Sequence, residues 1–242
     1  MAHRGFSRDG LENTRSAFAA AVRLGYSYVE TDVHATADGV LVAFHDYTLA
    51  RVVGRDGDIG QLLWKEVAEA RIGGAEPIPR FEELLETWPT LRWNIDCKSD
   101  AAAPLLAEII ERHRAWDRVC VASFTDRRRR AVLSLVSRPV ATVASPGMVG
   151  AARLFGRSPF ARMPIGAVDC LQIPERSRGL PVLTATLLRQ THAAGAQLHV
   201  WTVDEPVSMH RLLDMGVDGI MTDRADLLKD VLVERNQWHD PV

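Results

Sequence analysis

The stretch YSYVETDVH at residues 26–34, followed by ATADG and then by VLVAFHD at 40–46, decides how the rest of the chain is read. Aromatic and β-branched residues alternate with polar ones through the first run, which is the pattern of a strand. Side chains of a strand point alternately to opposite faces. Tyr28, Glu30 and Asp32 therefore share one face, and Val29, Thr31 and Val33 the other. The second run follows too soon for a parallel crossover, which needs about a dozen residues, so a tight turn at Asp38-Gly39 is expected to make a hairpin. Pairing about that turn sets His45 opposite residue 31 or 32, beside Glu30 and Asp32.

Working outward, short β-like runs recur at 1–3, 91–98, 118–123, 140–144, 167–173, 197–203 and 218–222. Helical patterns separate them at 11–24, 80–88, 101–114, 126–136, 184–194 and 206–215. With 26–34 this makes eight strands alternating with helices in a chain of 242 residues. The expected fold is an α/β (β/α)8 TIM barrel, a single domain over 1–242, with an extra hairpin strand after strand 2. No linker, repeat or low-complexity segment interrupts it.

The composition is that of an ordinary globular chain, with 47% hydrophobic and 25% charged residues. A formal charge of -2 gives no electrostatic case for nucleic acid. No apolar run approaches the ~20 residues that span a bilayer, and no apolar segment precedes the polar HRG at 3–5, so neither a transmembrane segment nor a secretory signal is expected. Three widely spaced cysteines, Cys97, Cys120 and Cys170, lie in apolar runs without metal-ligand spacing. They read as free thiols in a reducing, cytoplasmic compartment.

The run 91–98 repeats the charged alternation: Arg92, Asn94, Asp96 and Lys98 oppose Leu91, Trp93, Ile95 and Cys97. The apolar sets suit surrounding helices, which turns the charged sets toward the barrel axis. Unpaired carboxylates buried there cost several kcal/mol each, so positive charge must lie among them. A divalent cation on Glu30, Asp32 and Asp96 satisfies that need. So does an ion-pair cluster with Arg4, Arg92 and Lys98, and spacing alone does not separate the two. Of the eight histidines, His113, His192 and His210 fall on helical stretches, His239 lies near the C-terminus, and His199 reads as interior packing below Trp201. His3 and His45, beside the carboxylates, are placed for acid and base work near neutral pH.

With these residues in place, an ordered set of motifs comes into view. HRG at 3–5, ENT at 12–14, ETDV at 30–33, TADG, HD at 45–46, IP at 78–79, NIDCK at 94–98, SF at 123–124, VWTVD at 200–204 and DGIMTD at 218–223 resemble, nearly end to end, the glycerophosphodiester phosphodiesterases of the phospholipase-C-like superfamily. The resemblance implies hydrolysis of a glycerophosphodiester to glycerol 3-phosphate and an alcohol. By position it makes His3 and His45 the acid/base pair and Arg4 a phosphate ligand. It makes Glu30, Asp32 and Asp96 ligands to Ca2+ or Mg2+, Lys98 a second phosphate-side cation, and Trp201 an apolar wall beside the glycerol. HRG then sits at the C-terminal tip of barrel strand one, with Gly5 allowing a sharp turn behind it.

Two positions depart from the family pattern: Asp96 stands where Glu is usual, and Asp204 where Asn is common. Arg127 to Arg130 read as the start of a solvated helix. Residues 145–166, with Leu154, Phe155, Phe160 and Met163, are expected to form a rim loop that lids the site or touches a lipid surface or lipid-like leaving group, against a plain packed loop as the alternative. Beside the small-molecule diesterase stand two other readings. One is a lysophospholipase D-type enzyme, and the other an inactive phosphate-binding barrel, which would have no need of two proton-transfer groups.

Overall fold

A computed structural model describes residues 1–155 and 165–238. The stretch that opened the reading is strand β1 (Tyr28–Ala35), and the run after it is β2 (Leu41–Ala43), joined as the expected hairpin. They pair antiparallel with Val33 opposite Ala43 and Ala35 opposite Leu41. Gly39 turns at φ +81°, and the Thr36 hydroxyl accepts from Val40 N at 2.9 Å. Continued one step, that register sets Phe44 against Asp32, whose carbonyl accepts from Phe44 N at 2.9 Å, and so brings His45 to Thr31.

The other barrel strands are β3 (Arg92–Cys97), β4 (Val119–Ala122), β5 (Ala141–Thr142), β6 (Cys170–Pro174), β7 (Gln197–Trp201) and β8 (Gly219–Ile220). β1, β3, β4 and β5 form one parallel ladder, and β6, β7 and β8 a second. A parallel bridge from Val143 to Cys170 joins them on one side. On the other, Ala2 bridges both Val29 and Thr222 and closes the barrel. The expected first strand at 1–3 is thus a single seam residue: Ala2 O accepts from Glu30 N and His3 N donates to Thr222 O, each at 2.9 Å. Behind it Arg4 and Gly5 adopt φ +54° and +83°. A Cβ at Gly5 would meet the Ala17 carbonyl carbon at 2.7 Å, so only glycine lets the chain fold back against the next helix.

That helix is α1 (Arg15–Arg23), capped by Thr14, whose hydroxyl accepts from Ala17 N at 3.1 Å. Around the barrel follow α2 (Phe81–Thr87), α3 (Ala102–Arg112), α4 (Asp126–Leu135), α5 (Pro146–Phe155), α6 (Ala185–Ala193), α7 (Pro206–Met215) and α8 (Ala225–Glu234). Their apolar stripes, such as Leu106 and Ile110 of α3 or Leu228 and Val231 of α8, bury against the outward faces of the strands. Trp93 anchors this layer, with the rings of Phe18 and Phe81 edge-on at 5.0 and 5.7 Å.

The expected rim loop needs correction. Residues 146–155 of the expected rim loop form helix α5 instead. Proline at the first turn of a helix is well tolerated because its missing N–H is unpaired there anyway, so Pro146 opens the helix rather than breaking it. Phe160 and Met163 lie outside the described residues, as does His239. The chain between β2 and α2 has a core of its own. Phe44, Leu49, Ile59, Val67, Ile72 and Ile78 pack there, apart from the barrel core. Short helical turns at Ala50–Val53 and Trp64–Val67 and a two-residue ladder at 71–77 build it.

Candidate active site

Among the described residues, the charged side chains that face the barrel axis gather toward the C-terminal ends of the strands. β1 and β3 run in parallel register with Asp32 beside Asp96, one of the pairings that the matching alternation of the two runs permits. Lys98, just past β3, bridges the two, with Nζ 2.9 Å from Asp32 Oδ1 and 2.7 Å from Asp96 Oδ2. Asp32 Oδ2 takes Asn13 Nδ2 at 3.1 Å, and Arg4 Nε lies 3.1 Å away without the alignment of a hydrogen bond. Glu30 Oε2 accepts the Arg4 backbone N–H at 3.1 Å and lies 3.8 Å from His3 Nε2. Arg92 stays out of the cluster, stacked instead on the Tyr28 ring at 5.2 Å.

Burial and these neighbours set the charge states. Burial and the nearby Asp32 push the Glu30 carboxyl up to about 7, against the pull of His3, Arg4 and Lys98. Burial raises Asp96 as well, against Lys98. For Asp32 burial acts in the same direction, but Lys98 and Arg4 outweigh it and hold the carboxyl below its ordinary range. One layer deeper the axis is filled by neutral groups. Asn94 and Gln172 exchange two amide hydrogen bonds at 3.1 and 3.0 Å, and His199 is buried with Nε2 3.0 Å from Gln197 Oε1. His199 is packing, as read from the sequence. His113, His192 and His210 pair with acids on the outside of the barrel.

Each rim histidine has a carboxylate on Nδ1: His3 meets Asp223 Oδ1 and His45 meets Asp46 Oδ1, both at 2.6 Å. Burial alone would depress the His3 imidazolium, but Glu30 and the bond to Asp223 raise it above its ordinary value. Asp204, the departure from the family pattern, does not point its charge at the cluster. Its Oδ1 accepts Thr222 Oγ1 at 2.9 Å and Asp223 N at 2.8 Å, fixing the turn that carries Asp223. Asp46, Asp223 and Glu12 lie within the ordered motifs but outside the site set expected from them, although an acid directly after His45 is a readable signal.

A cavity of about 460 Å3 opens over this cluster. His3, Arg4, Glu30, Asp32, His45, Asp96, Lys98 and Trp201, the whole set singled out from the sequence, line it together. Its far side is apolar, with Val143, Val149, Ile173, Val182 and Met221. The rim carboxylates do not close around a common point, because Lys98 stands between two of them. Among the described residues the metal-ligand atoms lying within 4.8 Å of one another belong instead to Glu82, Glu86 and His113, outside the barrel, where Arg112 also pairs with Glu82 at 2.6 Å. The rim set still suits a hard cation. Its donors are carboxylate oxygens, and Asp96 Oδ1 is buried with no partner.

Comparison with known proteins agrees with the ordered motifs. The profile of the glycerophosphoryl diester phosphodiesterase family matches residues 3–227. The chain is 48% identical over 242 residues to a probable glycerophosphodiester phosphodiesterase 2 of Mycobacterium tuberculosis, covering 98% of this chain and 92% of that one. It is 25% identical over 270 residues to a lysophospholipase D of Homo sapiens, covering 96% and 85%. A crystal structure from Silicibacter pomeroyi, a glycerophosphoryl diester phosphodiesterase by assignment, shares the fold with a TM-score of 0.83 at 21% identity, over 98% of this chain and 94% of that one. The barrel, the ordered motifs and a profile match from the first histidine into the last helix lead to one conclusion: the chain belongs to the glycerophosphoryl diester phosphodiesterase family.

Proposed function

We propose that the chain, as one domain, hydrolyses glycerophosphodiesters to glycerol 3-phosphate and an alcohol, with His3 and His45 moving the protons. The observation that carries this reading is the single cavity that both histidines, Arg4, Lys98 and the three carboxylates share. With Nδ1 of each histidine engaged by a carboxylate, Nε2 is the ring nitrogen left to transfer a proton on both. One histidine takes a proton from the nucleophile and the other gives one to the leaving alkoxide. Arg4 and Lys98 face the phosphoryl oxygens, where charge gathers in the transition state. Trp201 offers the glycerol an apolar wall.

Glu30, Asp32 and Asp96 would hold a divalent cation, Ca2+ or Mg2+, which when bound supplies Lewis-acid stabilisation of the phosphoryl oxygens. Free Cys97, Cys120 and Cys170 support a reducing, cytoplasmic setting. Among the described residues no helix is long and apolar enough to cross a membrane.

The apolar far side of the cavity favours a second reading, a lysophospholipase D-type reaction in which an acylated glycerol phosphate is retained and the head-group alcohol leaves. Helix α5 supplies Val149, Gly150 and Arg153 to that side. The test is release of glycerol 3-phosphate from water-soluble diesters and of lysophosphatidic acid from lysophospholipids, with Ca2+, Mg2+ or a chelator, beside His45→Ala. Metal-dependent release from the soluble diesters, lost in the variant, supports the first reading. Activity confined to lysophospholipids moves the chain to the second. Silence on all of them with phosphate binding intact returns it to an inactive barrel.

A further inference from the structure

The insertion between β2 and α2 contributes one side chain that reaches both halves of the rim. Arg51, on the short helix Ala50–Val53, spends its whole guanidinium on two carboxylates. Its Nε donates to Asp46 Oδ2 at 2.6 Å, while Nη1 and Nη2 grip Glu12 Oε2 and Oε1 at 2.8 and 2.6 Å. Each of those carboxylates has a second duty. Asp46 holds His45 Nδ1 at 2.6 Å, and Glu12 takes Arg4 Nη1 at 2.9 Å. Arg51 is therefore the midpoint of a continuous chain from His45 through Asp46 to Arg51, and on through Glu12 to Arg4.

We propose that Arg51 is a positioning residue, which fixes His45 through Asp46 and Arg4 through Glu12. This rests on the function proposed above. The geometry makes the role specific. Only a planar fork with three usable N–H groups can meet a bidentate carboxylate and a second acid at once. A carboxylate pinned on its far oxygen cannot swing, so the imidazole it holds keeps its ring orientation and tautomer. The anchor is firm at its base, because Leu49 beside it is fully buried in the core of the insertion. The insertion thereby gains a function: it carries the clamp.

The test compares Arg51→Gln, Arg51→Lys, Asp46→Asn and the Arg51→Gln/Asp46→Asn double variant on a soluble glycerophosphodiester. Loss of a partner that orients a working group costs roughly 10- to 100-fold, so Arg51→Gln is expected to lower kcat about 30-fold and to raise KM about threefold through Arg4. Arg51→Lys, reaching one acid but not both, falls between. The double variant should lie close to the worse single variant, since both cut the same chain. Arg51 is half exposed, so thermal unfolding should move little.

A readout independent of turnover is the 15N spectrum of the imidazoles, with His45 assigned through His45→Gln. In Arg51→Gln the His45 Nδ1 signal should shift while that of His3, held by Asp223, stays in place. A kcat within twofold of wild type, additive losses in the double variant, or an unmoved His45 signal would overturn the proposal. Wild-type chain inactive on every diester would instead overturn the function proposed above, and the spectrum would still decide this one.

Discussion

Changing pH should move metal affinity and stability in opposite directions, and Glu30 is the reason. Its carboxyl, 5% exposed and pushed up to about 7 by burial and Asp32, holds a proton in the folded chain that an ordinary glutamate with a value of 4.5 gives up. The folded state thus binds more protons than the unfolded one between those values, so stability present at low pH is lost as pH rises through about 7. The full difference is worth roughly 3 kcal/mol, or roughly 6–12 °C in Tm for a chain of this size. A cation on the same carboxylate competes with that proton. Its apparent affinity should therefore fall about 30-fold between pH 8 and pH 5.5. The assay is calorimetric titration of Ca2+ and Mg2+ at both pH values, with Tm recorded in chelator, for wild type and Glu30→Gln. Wild type alone should show the alkaline loss of Tm in chelator, and metal should restore it most at pH 8. Parallel Tm profiles for the two proteins, or an affinity indifferent to pH, would refute the assignment of the displaced charge to Glu30.

Three further outcomes can be checked with the same protein. Gly150→Leu is sterically free, since among the described residues a Cβ there meets nothing within 4 Å, and it projects into the apolar side of the cavity. It should cost a lysophospholipid roughly tenfold or more in kcat/KM, at about 0.8 kcal/mol per displaced methylene, while a soluble diester stays within about twofold. His199, buried and lowered to about 4 by burial, contributes stability that is present above its ordinary value of 6.5 and lost as pH falls toward 4. Chemical denaturation should show wild type losing roughly 3 kcal/mol across that window relative to His199→Gln, and equal slopes would count against it. Asp204→Asn keeps the acceptor for Thr222 and Asp223 and should leave kcat within about twofold, whereas Asp204→Ala frees the turn under Asp223 and should lower kcat about tenfold through His3.

Much of the site was legible because strand alternation is a strict rule. Once residues 26–34 and 91–98 are strands, Glu30, Asp32, Asp96 and Lys98 must face the same way, and a parallel register then sets Asp32 beside Asp96. The short loop before β2 forced His45 back onto the same rim for a similar reason. Which charges pair was not legible. Arg92 alternates in phase with Asp96 yet lies four residues down the strand, beyond reach of the rim, while Lys98 stands at the strand end and takes both acids. Helix α5 was misread because a proline and two glycines look like a loop until the proline is placed at the first turn. The clamp at Arg51 was missed for a different reason. Its contact with Glu12 joins residues 39 apart through an insertion whose helical turns are too short to show a period.

The charge count at the rim bears on what the site is for. Glu30, Asp32 and Asp96 set three potential negative charges against the two positive charges of Arg4 and Lys98, all of them largely buried. With Glu30 ionised the group is left one charge negative, and the raised Glu30 carboxyl is the fold's own way of removing that excess. A phosphodiester brings a further negative charge into the same cavity, so a protonated Glu30 alone would leave it in deficit. Under the function proposed above, a divalent cation on the carboxylates would balance both charges at once. Stability gives no reason for the arrangement, because a buried ion cluster can often be replaced by packed apolar groups at no loss. One layer below, the barrel fills the same axis with paired amides and a neutral imidazole. Among the described residues charge on the axis is therefore confined to the layer that faces the cavity, where, under the function proposed above, a bound cation would offset the excess that an anionic substrate adds.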